Sequence, residues 1–141
     1  MRSIMIAAAI LALGACSGGS EPDNGEPEGA VPEADIAAPE ILDAVPAAFH
    51  GHWDFAEDTC TDPGSDGRLD IEADRINYYE SSATPETITP TGDGALTIVH
   101  LFSGEGEEWT ETLAYALSED GDRLTVTSPD GSMSVRMRCP A

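Results

Sequence analysis

The stretch ALTIVHLF, Ala95 to Phe102, and after a short turn WTETLAYAL, Trp109 to Leu117, decide the fold. Leu96, Ile98, His100 and Phe102 fall on alternate positions, which is the period of a half-buried strand and not of a helix. The same period recurs on both sides of this pair. It predicts strands near Phe49 to Ala56, Arg68 to Glu72, Arg75 to Glu80, Thr87 to Thr89, Ala95 to Phe102, Trp109 to Leu117, Arg123 to Thr127 and Ser132 to Cys139. Between them lie Asp66-Gly67, Ala73-Asp74, Gly92-Asp93-Gly94, Glu119-Asp120-Gly121-Asp122 and Pro129-Asp130-Gly131. Their Gly and Asx residues supply the positive φ that tight hairpins require. Eight short strands joined in sequence give an all-β antiparallel meander, closed as a small barrel or packed as a tight sandwich, since both hide exposed sheet edges.

Working outward, the β segment fills residues 47–141 and holds every aromatic residue of the chain. Before it, Ser17 to Pro46 carries eight acids, no base and five prolines, a composition that buries no core and reads as a disordered spacer. As a flexible coil of that length it has an r.m.s. span of about 30 Å. A short helix is compatible with Ala37 to Ala44 before Pro46 stops it. The spacer therefore tethers the domain without packing on it.

At the start, Arg2 and the apolar run Ile4 to Leu13 form a signal peptide over 1–15, too short to span a bilayer of roughly 30 Å. The run ends in Leu13-Gly14-Ala15-Cys16, which resembles the bacterial lipobox. That resemblance implies cleavage before Cys16 and acylation of Cys16 with palmitate-type chains, with Ser17 implying delivery to the outer membrane on its periplasmic side. Two or more acyl chains, each buried CH₂ contributing about 0.8 kcal/mol, would hold the protein on a membrane.

With Cys16 so assigned, Cys60 and Cys139 remain, an even pair in an exported domain, and a disulfide between them is expected. On the last strand Met133, Val135, Met137 and Cys139 alternate with Ser134, Arg136 and Arg138. The apolar set is expected to face the core and both arginines to face solvent. On the first strand Phe49, Gly51, Trp53 and Phe55 are expected on one face, with His50, His52 and Asp54 on the other. Gly51-x-Trp53 is similar to the opening of lipocalin and avidin barrels, which implies a Trp plugging one barrel end.

Composition excludes several functions. The 141 residues hold 27 acids and 6 bases, all Arg, for a net charge of -21. Such a chain offers no basic surface for nucleic acid or anionic lipid, and no lysine chemistry. The 19 acids and five Arg of residues 47–141 leave a net -14, which steers basic proteins toward the domain.

Three clusters are candidates for chemistry. His50 and His52 lie two apart, and with Asp54 or His100 as a third ligand the spacing suits a transition metal. The simpler reading is a solvated polar face, with His100 a hydrogen-bonded histidine of the core or rim. Asp58, Asp62, Asp66 and Asp70, with Gly64 and Gly67, depart from the calcium-loop pattern and read as a hydrophilic turn held by Cys60. Glu105, Glu107, Glu108 and Glu111 surround Trp109, where paired carboxylates beside an aromatic ring could act on a sugar, but a solvated turn would leave them ordinary acids. No catalytic residue, metal or cofactor is expected.

The segments Val45-Pro46-Ala47-Ala48-Phe49 with Gly51-His52-Trp53, Cys60, Ile76-Asn77-Tyr78-Tyr79-Glu80-Ser81, Phe102-Ser103-Gly104-Glu105-Gly106-Glu107-Glu108-Trp109 and Arg138-Cys139-Pro140 resemble, in this order, a family of small alphaproteobacterial cell-envelope lipoproteins. The resemblance implies localisation and a disulfide-stapled β domain and carries no activity with it; this chain is more acidic. It is also similar, more loosely, to small barrel lipoproteins that inhibit lysozyme. The expectation is a monomeric, non-enzymatic envelope module that binds a basic protein or a small ligand, with inhibition of a basic cell-wall hydrolase and weak metal binding or hydrolysis as the alternatives.

Overall fold

In the computed structural model, residues 38–141 are described. The signal peptide expected over 1–15 and the lipid site expected at Cys16 lie outside these residues. Eight antiparallel strands form a meander: β1 Gly51–Asp54, β2 Leu69–Ile71, β3 Ile76–Tyr78, β4 Ser82–Gly92, β5 Ala95–Gly104, β6 Glu107–Leu117, β7 Arg123–Thr127 and β8 Met133–Arg138. Each pairs with its neighbour in sequence and β8 pairs with β1, so the sheet closes as a barrel and the sandwich alternative is excluded. Closure removes the free edges that short strands would otherwise expose.

The barrel interior is filled. Trp53, Leu69, Ile76, Ile98, Leu124 and Tyr115 are fully buried along it, at the strand positions that alternate inward. Eight strands enclose just enough room for such side chains. Among the described residues no helix is long and apolar enough to cross a membrane.

β1 is four residues long instead of eight, since Phe49 belongs to a 3-10 turn and the chain leaves the sheet after Asp54, while β4 and β6 are longer than the sequence reading. β4 runs over eleven residues instead of three, through Pro85 and Pro90. Beyond Ala83 its only strand partner is β5, because β3 is three residues long, with a single bridge at Ile88 on the other side, and register shifts lie between Pro85 and Thr87 and between Pro90 and Gly92. Proline is tolerated at such one-sided, bulged positions. β6 starts at Glu107 because Glu105 (φ 50°) and Gly106 (φ 83°) alone make the turn, with positive φ at both residues as in a type I′ hairpin.

The folded unit also begins before Ala47. Leu42 bridges to Ile88, the Val45 N–H donates to the Ala73 carbonyl, and Val45 is buried in the core. Residues 38–44 form no helix. The last part of the acidic spacer is thus bound to the barrel by its two aliphatic side chains, which charge and proline content had masked.

Candidate functional site

One barrel end is sealed. A single 3-10 turn, Ala47–Phe49, precedes β1 and buries Phe49. Trp53 is fully buried beside this turn, its indole N–H donating to the Phe49 carbonyl at 2.9 Å. The Arg138 guanidinium lies 4.1 Å over the Trp53 ring. From there it donates to the carbonyls of His50 (2.7 Å), Ala48 (2.7 Å) and Gly121 (3.0 Å). One planar cation thus stacks on the plug and satisfies carbonyls of the turn above it.

That placement overturns the expected orientation of β8. Register pairs Leu124 with Arg136, Val126 with Ser134, and Trp53 with Arg138, so the arginines share the inward face. Met133 and Val135 are exposed instead. Arg136 is buried, and its Nε donates to the Gly67 carbonyl at 2.7 Å while Nη1 donates to Ser134 Oγ at 2.6 Å. Burial lowers its pKa, opposed by Tyr78, Tyr115 and Asp54. The alternation was right in period and inverted in polarity, because partners able to satisfy two guanidiniums lie inside.

On β1, Phe55 is likewise exposed, with Arg136 4.7 Å over its ring, while Asp54 is fully buried. Burial pushes the Asp54 carboxyl up. Hydrogen bonds from Ser65, the Phe55 N–H and Thr59, with the charge on His52, outweigh it and hold the pKa below the ordinary value. Asp54 Oδ1 accepts from Ser65 Oγ at 2.7 Å and from the Phe55 N–H at 2.7 Å. The acidic loop between β1 and β2 is tied down by these bonds, by Arg136 and by the Cys60–Cys139 disulfide, whose Cα atoms stand 5.6 Å apart.

Deeper in the barrel, Tyr78 Oη, Tyr115 Oη and His100 Nε2 form a chain of hydrogen bonds at 2.8 and 2.9 Å. His100 is fully buried, and desolvation brings its pKa down to about 4. Desolvation likewise drives Tyr78 up to about 12 and Tyr115 well above the ordinary tyrosine value. All three are neutral at physiological pH, and none is a nucleophile or base poised for work near pH 7. His100 Nδ1 is buried without a protein partner. From His100 an aromatic ladder runs through Phe102 (5.4 Å) to Trp109, stacked on Phe102 at 5.2 Å and 6° and 41 % exposed. Trp109 and Tyr79 are exposed large residues at this second end, whereas Phe55 lies beside Val135 and Met137 on the outside of β8.

The expected clusters do not assemble. His50 Nε2 donates to the Val45 carbonyl at 2.8 Å, whereas His52 Nδ1 bonds Asp70 at 2.7 Å beside Arg68, and His100 lies inside the barrel. Among the described residues no group of three or more His, Cys, Asp or Glu could hold a metal ion. Asp58, Asp62 and Asp66 are exposed and Asp70 is turned to His52. Glu105 is in the turn, Glu107 and Glu108 open β6 in solvent, and Glu111 faces inward opposite His100. Sequence reasoning missed Arg136, Arg138, Tyr78 and Tyr115. Two of the chain's six arginines spaced two apart on a strand, alternating with Met133, Val135 and Met137, were the available signal.

What the described surface does present is carboxylate. Of the 21 acids in residues 38–141, all are exposed except Asp54, Asp70 and Glu111, whereas only Arg75 and Arg123 of the five arginines are exposed. The exposed acids crowd the turns at both barrel ends. Comparison with protein-family models, with curated proteins and with solved structures gives no match.

Proposed function

We propose that the protein is a lipid-anchored module of the bacterial envelope, held through Cys16 at the outer membrane and facing the periplasm, whose β domain binds a cationic protein and performs no catalysis. The observation that carries the reading is the segregation of charge. Arg136 is buried, Arg138 is held on three carbonyls and the Trp53 ring, and Arg68 pairs with Asp70, so the solvent sees a surface more one-sided than the composition states. A surface of this kind accelerates encounter with basic partners and repels acidic ones. The filled interior favours an outer surface over a small ligand along the barrel axis. Exposed Trp109 and Tyr79 stand beside the exposed acids Glu107, Glu108 and Glu80, a pairing that suits arginine and lysine side chains.

The test is titration of the full chain against a basic hydrolase such as a lysozyme at increasing salt. Binding that weakens as salt rises supports the reading; no binding even at low ionic strength overturns it. Assay of cell-wall hydrolysis in the same mixture separates inhibition from binding alone. Mass spectrometry of the mature protein tests the anchor, since Cys16 without acyl mass removes it.

A further inference from the structure

Most exposed acids lie in turns and loops, and the stretch of wall formed by β5 to β8 between the turns is bare of them. Outward positions of β5 to β8 between the two lips are Thr, Ala, Val, Leu and Met, broken only by Arg123. On this wall Met133 stands 71 % exposed and Val135 49 %. Directly beside them is a groove of about 170 Å³ lined by Phe55, Arg123, Val135, Arg136 and Met137. A protruding thioether and a recess with an aromatic wall therefore lie two residues apart on one strand, about 7 Å by strand geometry.

We propose that this wall is where a second copy of the chain docks, Met133 of each copy entering the other's groove. A two-fold contact needs a patch that complements itself, and a knob next to its own hole does so. Methionine is flexible enough to fill an irregular recess and packs favourably against an aromatic ring such as Phe55. Charge selects the occupant: two chains this acidic repel through either barrel end and meet without burying a carboxylate only across β5 to β8. From strand spacing and rise the wall measures roughly 400 Å² per copy, which places the contact among weak, reversible associations. Confinement on a membrane surface would raise its occupancy.

This inference is independent of the cationic partner, and salt separates the two. Ion pairing to a basic protein weakens with salt, whereas association of two acidic copies through a wall without carboxylates strengthens as repulsion between their acidic turns is screened. Sedimentation velocity of the full chain carrying Cys16→Ser, up to about 1 mM protein and from about 20 to about 500 mM salt, is expected to show a dimer that grows with both. Val135→Glu and Ala114→Glu, the latter at an exposed site on β6, should each weaken it about ten-fold, roughly 1.4 kcal/mol, with unchanged far-UV and near-UV circular dichroism. Glu119→Gln, in the turn after β6, should not weaken it. A chain that stays monomeric at the highest protein and salt, or a dimer indifferent to both wall variants, overturns the proposal. So does a monomer that floats with phosphatidylcholine vesicles and loses that property in Val135→Glu, which would assign the wall to lipid.

Discussion

Arg138 holds three carbonyls and one indole ring with a single planar group, so its loss is felt both as packing and as unsatisfied backbone. Arg138→Lys keeps the charge and loses the fork and the stack; about 2 kcal/mol of stability should go with it, read from the urea midpoint. At His100 the sign of the pH effect follows from burial. The unfolded chain takes up a proton near 6.5 and the folded one only near 4, so stability is full above 6.5 and declines as pH falls between these values. The loss is about 3 kcal/mol, and His100→Gln should flatten that part of the stability profile. The chain alone read His100 as a hydrogen-bonded histidine of the core or rim, as it is, but not the role of Arg138. Alternation tells which residues share a face, but the inward face of β8 is chosen by β7 and β1, where Leu124 and Trp53 lie opposite the arginines. A rule that puts charge outside then fails, because carbonyls and π faces distant in sequence were waiting inside.

At the scale of elements, the strands of the β5–β6 pair were legible because long uninterrupted alternation and a glycine turn agree with each other. β4 was legible only around Ile88, since Pro85 and Pro90 speak against a ladder until the shortness of β3 leaves their side unpaired. The loop between β1 and β2 was legible through its cysteine but not its knot. A Cβ on Gly67 would collide with Asp54 Oδ1 and with the Phe55 ring. Gly67→Ala must displace both, and should lower stability by about 2 kcal/mol in chemical denaturation. The Cys60–Cys139 link closes a separation of 79 residues. Cys60→Ser with Cys139→Ser should cost about 4 kcal/mol by the loop-entropy relation, measured as a drop in thermal and urea midpoints with the barrel signature retained at low temperature.

On the scale of the whole molecule, composition announced the charge but not its distribution. That distribution depends on which of five arginines the fold keeps for itself, and burial of Arg136 and pinning of Arg138 leave two exposed against the ring of acids. A basic partner titrated at rising ionic strength should therefore lose affinity more steeply than the net charge of the domain suggests. The geometry of entry has a mechanical consequence. The chain joins the barrel at Leu42 and Val45 and leads into β1, while Cys60 is bonded to the residue that follows β8. Traction on the preceding segment would first strip the Ile88 bridge, then the plugging turn, then β1, and would stop at the covalent link, leaving the remaining seven strands to bear no load.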